Sequence, residues 1–228
     1  LWYDSVRTVG AGYIHSDGNS AQEVYAAVSS FASTGFNLPQ STADTAEGAM
    51  NDGAGNGTYV GWCFKAGGSG VQNNDGSIQG ANCLVSANVA AGFSIIKWRG
   101  NGTNSATIGH GLDSAPELII HKGITNPTSW VIGIGGISGF SASDYLQFNT
   151  AAKSNSSTFF QGYGSSTFTV GVSSANEMNK NSSNYYIGYA FHSVSGYQKV
   201  GSYSGGSTNT IVTGFRPSWI MVKNITTP

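Results

Sequence analysis

Tyr59-Val60-Gly61-Trp62-Cys63-Phe64-Lys65 matches Tyr186-Ile187-Gly188-Tyr189-Ala190-Phe191-His192, in the second half of the chain, position by position. Val60, Trp62 and Phe64 alternate with other residues in the first segment, as Ile187, Tyr189 and Phe191 do in the second. Successive side chains of a strand point to opposite faces, so a period of two puts each trio on one face of an extended strand. Their length and their aromatic and β-branched content also suit strands.

The correspondence continues outward from these segments. Ile95-Ile96-Lys97-Trp98-Arg99-Gly100 aligns with Val200-Gly201-Ser202-Tyr203-Ser204-Gly205, an aromatic preceding the glycines in each. Ile108-Gly109-His110-Gly111-Leu112 aligns with Ile211-Val212-Thr213-Gly214-Phe215, and Pro116-Glu117-Leu118-Ile119-Ile120 with Pro217-Ser218-Trp219-Ile220-Met221. Lys122 then matches Lys223, and Trp2 takes the place of Trp130. Self-similarity of this kind is the mark of a tandem repeat. It predicts two diverged β repeats, residues 1–128 and a shorter 129–228. No Pro/Ser-rich linker separates them, which favours one compact body with pseudo-twofold symmetry. Leu1-Trp2-Tyr3-Asp4-Ser5 reads as the inside of a strand, so the chain is expected to be a segment of a longer polypeptide.

Further strand-length runs occur at residues 93–98, 118–122, 167–172 and 219–223. The turn pairs Asp17-Gly18, Asn56-Gly57, Asp75-Gly76 and Asn101-Gly102 supply residues that reach positive φ easily. Only residues 21–31 look helical. The predicted fold is therefore all-β, an antiparallel β-sandwich or jelly-roll-like body. Composition agrees: 33 glycines, 12% aromatic and only 9% charged residues suit short strands, many turns and aromatic packing.

A formal net charge of -1 offers no basic stripe to neutralise a phosphate backbone, which argues against nucleic acid as a partner. No apolar run reaches the roughly 20 residues of a helical membrane span, and the N-terminus has no signal-peptide pattern. Cys63 and Cys83 are too few for a cysteine zinc site, and whether they form a disulfide is left open.

Catalytic motifs are scarce. There is no G-x-S-x-G nucleophile elbow and no Gly-Lys pair for a phosphate loop. Gly133-Ile134-Gly135-Gly136 resembles a dinucleotide loop without its third glycine or following helix and is better read as a glycine-rich turn. Asn73-Asn74-Asp75-Gly76 and Asp17-Gly18-Asn19 lack the alternating acids of calcium loops and read as ordinary turns. His110 reads as structural or exposed, and His121 shares a strand face with Glu117, as a packing or surface position more than as a metal or acid-base pair. Asp4 and Arg7 read as a structural ion pair. The chain is therefore expected to be non-enzymatic, with no cofactor, metal or catalytic residue assigned. Trp62 and Trp219 are expected to anchor the core. Trp98, Tyr163, Tyr197 and Tyr203 sit beside Gly-rich turns, where an exposed ring stacks on a sugar or a protein partner.

The stretches 59–66, 92–102 (Gly-Phe-Ser-Ile-Ile-Lys-Trp-Arg-Gly-Asn-Gly), 109–112 (Gly-His-Gly-Leu) and 214–223 (Gly-Phe-Arg-Pro-Ser-Trp-Ile-Met-Val-Lys), with the opening Trp-x-x-Asp-Ser-x-Arg, carry a resemblance over nearly the whole chain. It resembles an uncharacterised repeated domain of tailed-phage virion proteins, common in viruses of marine bacteria and often found beside concanavalin-like lectin modules. The second copy departs from the pattern, with Ser204-Gly205-Gly206 where the first has Arg99-Gly100-Asn101-Gly102. The resemblance implies a place on the virion surface, in a tail fibre, spike or capsid-decoration protein, and brings no catalytic residues. It also implies other virion proteins as partners, homo-oligomers (commonly trimers) and host surface glycan as a target. On this reading residues 67–82 and 138–157 are the presented loops. A secreted carbohydrate-binding or adhesin module is the alternative. A glycan depolymerase comes third, since two catalytic acids can be supplied by distant strands.

Overall fold

The computed structural model describes residues 1–7, 12–24, 28–39, 49–51, 58–148, 152–175 and 177–226. Its strands are β1 (Ser30–Ala32), β2 (Gly35–Asn37), β3 (Val71–Asn73), β4 (Gly80–Asn88), β5 (Phe93–Arg99), β6 (Ala106–Gly109), β7 (Leu118–Gly123), β8 (Val131–Ile134), β9 (Asp144–Gln147), β10 (Ser154–Asn155), β11 (Phe160–Tyr163), β12 (Thr167–Val170) and β13 (Tyr185–Phe191). Every pairing between them is antiparallel, and the chain is an all-β sandwich, as its periodicity predicts.

One sheet has eight strands in the order β10-β9-β8-β7-β13-β5-β4-β3, and a three-stranded sheet β11-β12-β6 covers one of its faces. Strand β13 is the last in the chain yet lies at the centre, with Tyr189 opposite Ile95 of β5 and Ile120 of β7. The large sheet thus draws strands from both sides of the boundary expected at residue 128. Local chemistry makes the first hairpin of the core. Asn88 accepts from the Ala91 amide at 3.3 Å, and Gly92 at φ 59° closes a short 3-10 turn that sends the chain from β4 into β5. Of the turn glycines expected at positive φ, Gly76 and Gly102 are there, at φ +86° and +69°, whereas Gly18 is not.

The centre of the large sheet is covered on both faces, so β5, β7 and β13 are buried at nearly every position instead of every second one, polar residues such as Ser94, His121 and Lys122 included. Ile96, Trp98, Ile119, Tyr186 and Ala190 face the small sheet and pack with Ile108, Phe160, Phe168 and Val170. Phe93, Ile95, Ile120, Ile187 and Tyr189 face the other way, toward Val6, Ile14 and Trp130. The N-terminal segment closes this second face, held by the antiparallel bridge of Trp2 to Ile14 and by Trp130 Nε1, which donates to the His15 carbonyl at 2.6 Å. Trp2 and Trp130, equivalent in sequence, lie in contact with ring centroids 4.8 Å apart.

The glycine-rich run is explained by packing. Gly133 lies in β8 with Phe160 and Tyr163 against its Cα, and Gly135 lies under Tyr163, so side chains here would collide with rings that are themselves stacked at 5.8 Å. Gly133→Val is expected to destabilise the protein by about 1–3 kcal/mol, the usual cost of overpacking, read as a lower urea midpoint at unchanged slope.

Several expectations are corrected. Trp62 and Trp219, taken as core anchors, are 69% and 58% exposed. Alternation identifies side chains that share a face, but a neighbouring layer must cover that face, and among the described residues no strand pairs with either segment. Residues 59–65 and 186–192 therefore occupy unlike environments. Residues 67–82 and 138–157 are not free loops, since they contain β3 and the start of β4, and β9 and β10. Residues 21–31 show no helix where described: Glu23 bridges to Tyr13, and residues 30–31 belong to β1, while residues 25–27 lie outside the described part. Asn56-Gly57 also lies outside it. Cys63 is exposed and Cys83 buried, both unbridged.

Candidate functional site

The ionisable groups of the interior are spent on structure. Asp4 Oδ1 accepts from the backbone amides of Val6 and Arg7, at 3.1 and 2.8 Å, fixing a tight turn just after Trp2. Its Oδ2 accepts from Arg7 Nε and, at 2.9 Å, from the Tyr189 hydroxyl on β13. The Arg7 guanidinium is completed by Gln22 Oε1 at 3.0 Å and the Trp2 carbonyl at 2.9 Å. Burial disfavours the Arg7 cation, but Tyr189 and Asp4 beside it outweigh that and raise its pKa. The ion pair anticipated from spacing is thus the clasp that holds the N-terminal segment on the sheet.

Lys122 is likewise buried. Its ammonium donates to the carbonyls of Asn19, at 3.0 Å, and Thr128, and desolvation brings its pKa down to about 8. Asp144, at the start of β9, accepts from Asn155 at 2.7 Å, from Lys153 at 2.9 Å and from the Ser141 amide at 2.9 Å. Those bonds, led by Asn155, hold its carboxyl well below the usual range.

His121 does not meet Glu117. Its ring stacks on Trp98 at 5.2 Å and its Nε2 faces the Glu177 carbonyl at 2.6 Å, while Glu117 accepts from the Ser193 amide. His110 is buried too: its Nδ1 accepts from the Leu112 amide at 3.1 Å, which leaves Nε2 to donate to the Gly164 carbonyl. Desolvation lowers the His121 pKa from 6.5 to about 4 and moves His110 in the same direction. The unfolded chain protonates His121 near pH 6.5 and the folded chain only near 4, so the unfolded state binds more protons within that window. The contribution of His121 to stability is therefore full above about pH 6.5 and is lost toward pH 4, by on the order of 3 kcal/mol. Urea unfolding across pH 4–7 checks this. His121→Phe should flatten the slope, and an unchanged slope would overturn the assignment.

Among the described residues no group of three His, Cys, Asp or Glu side chains could hold a metal ion. In the Asn73-Asn74-Asp75-Gly76 turn Asn73 Oδ1 accepts from the Asp75 amide at 2.8 Å, an ordinary Asx turn.

The four aromatics proposed as contacts divide. Trp98 is fully buried, enclosed by His121, Tyr186 and Phe168, and is out of reach of any surface ligand. Tyr163 is half-buried over Gly133 and Gly135. Tyr197 and Tyr203 are 60% and 53% exposed. Tyr197 tops the turn that joins Val194 to Gln198, beside a shallow groove of about 380 Å³ lined by Val194, Gln198, Lys199, Val212 and Thr213. Val212 of that groove also belongs to a run of exposed apolar residues, Ile211, Val212, Trp219, Ile220, Met221 and Val222. Tyr59, Val60, Trp62 and Phe64 form a second one, where Phe64 touches Phe93 and Phe191 at 5.7 and 6.0 Å. These two stretches, and not Trp98, hold the large exposed apolar side chains of this region. Sequence reading missed them because their patterning is that of buried strands.

The family model described as Domain of unknown function (DUF7483) matches residues 1–228, and the chain belongs to that family. No curated protein and no solved structure matches it.

Proposed function

We propose that this member of the DUF7483 family is a non-enzymatic structural module of a tailed-phage particle, in a tail fibre, spike or capsid-decoration protein, that presents surface for assembly or host attachment. The observation that carries this reading is the pair of exposed apolar stretches at residues 59–64 and 211–222 beside a closed β body. Large apolar side chains left exposed in such runs suit burial against a protein partner. The sequence resemblance supplies the particle as the setting. Mass spectrometry of purified particles from a phage carrying the gene tests it. The chain is expected in the particle at a fixed multiple of a tail or capsid protein, and its recovery only from the culture fluid of uninfected cells would overturn the reading.

The exposed rings of Tyr197 and Tyr203 favour a second reading, a secreted glycan-binding module, because an aromatic face suits the apolar face of a sugar. Glycan-array binding abolished by Tyr203→Ala, with no association with particles, would select it.

A further inference from the structure

We infer that residues 59–65 form a strand that inserts between residues 198–204 and 217–223 of a second copy of this chain. Within the body, β13 lies between β5 and β7. The sequence contains a second set of all three: 59–65 matches β13, 200–205 matches the end of β5, and 217–223 matches β7 with the two residues before it. In the described chain this second set forms no strand, and its large side chains stand in the open, Val60 at 78%, Trp62 at 69% and Ile220 at 69% exposure. Among the described residues Phe64 meets only rings of its own body, Phe93 and Phe191, and Tyr203 and Trp219 stand exposed, which leaves each segment open to its match in another copy.

A glycine supplies an independent observation. An added Cβ on Gly188 would sit tightly on Trp98 at 3.3 Å and touch Ile119 at 3.4 Å, so glycine gives the closest fit of β13 under that ring. Its match, Gly61, has nothing within 4 Å in this chain. The inserted strand would set Gly61 beside Tyr203 and Ile220, the matches of Trp98 and Ile119, and so give that glycine the same fit.

The register follows from β13. Ala190 opposes Ile119, Phe191 opposes Leu118, and Ile187 opposes Lys122. Cys63 is therefore set opposite Ile220, Phe64 opposite Trp219 and Val60 opposite Lys223, which puts Lys65 at the far end of the strand from Lys223, without a like-charge clash. Tyr59, Trp62, Phe64, Tyr203 and Trp219, at about 150–250 Å² for a fully buried ring, would together cover on the order of 1,000 Å², the scale of a specific interface. Donor and acceptor are different surfaces, so the contact is heterologous, and closes as a reciprocal pair or a ring or extends as a fibre.

Cys63 is exposed and free, which makes the test direct. Directly opposed strand residues lie within disulfide reach. Mild oxidation of the Ile220→Cys chain is expected to give disulfide-linked multimers on a non-reducing gel. Met221→Cys, whose side chain points to the other face, is expected to give none. Light scattering of the unaltered chain should show a mass above 23.6 kDa that rises with concentration. Trp62→Asp, at a site exposed in the single chain, should weaken association at least tenfold while leaving the circular dichroism spectrum unchanged. A monomer at every concentration, no linkage, or a disulfide closed within one chain at monomer mass would overturn the inference. None of these outcomes bears on whether the protein belongs to a phage particle.

Discussion

Trp98→Ala is expected to lower the free energy of unfolding by about 3–5 kcal/mol, the range for removing a large buried aromatic. The indole has no exposed surface, stacks with His121 at 5.2 Å and Tyr186 at 5.5 Å, and meets Phe168 edge-on at 5.7 Å. Rings on β7, β12 and β13 enclose it, so the cavity left behind is walled by rigid groups and collapses poorly. The indole Nε1 has no hydrogen-bond partner among the described residues, and a buried unpaired N–H costs about 1–3 kcal/mol. Trp98→Phe keeps most of the ring contact and removes that N–H, so it should cost less than half as much. Urea titration of the three proteins, with far-ultraviolet circular dichroism to confirm the fold, makes the comparison. Equal losses for Ala and Phe would mean that the indole N–H is satisfied in a way the geometry does not show.

Arg7→Ala is expected to cost a similar amount, about 3–5 kcal/mol, for a different reason. Asp4 and Arg7 are both buried, and removing the guanidinium leaves a carboxylate in the interior with only two amides and the Tyr189 hydroxyl. The apolar double replacement Asp4→Leu/Arg7→Met removes both charges and should recover part of the loss, since the cost lies in the charge left unpaired. The clasp joins residue 4 to residue 189, so its loss should first loosen the N-terminal segment. Amide exchange at Tyr13 and Ile14 should accelerate before that of β5 and β13. Uniform acceleration through the whole sheet would show that the clasp is not local to this segment.

Much of this was legible in the chain itself. The Asp4 and Arg7 pair could be read because a turn of three residues brings the two together whatever the rest of the fold does. The strands at 93–98, 118–122 and 186–191 could be read because β-branched and aromatic residues favour extended backbone locally. Trp98, Trp62 and Trp219 could not be sorted in the same way. All three sit in strand-like sequence, yet one lies at the centre of the core and two lie in solvent. Only Tyr197 and Tyr203, of the four aromatics considered for contact, remain well exposed.

Local preference and residue period determined the all-β class, the turns at Gly76 and Gly102 and the ion pair, because these depend on neighbours within a few positions. The tertiary structure alone decided that β13 crosses to the middle of the sheet, that both faces of that sheet are covered, and that residues 59–65 and 211–222 are left open. Burial depends on which distant segment arrives to cover a face, and two segments of matching sequence can receive that cover unequally.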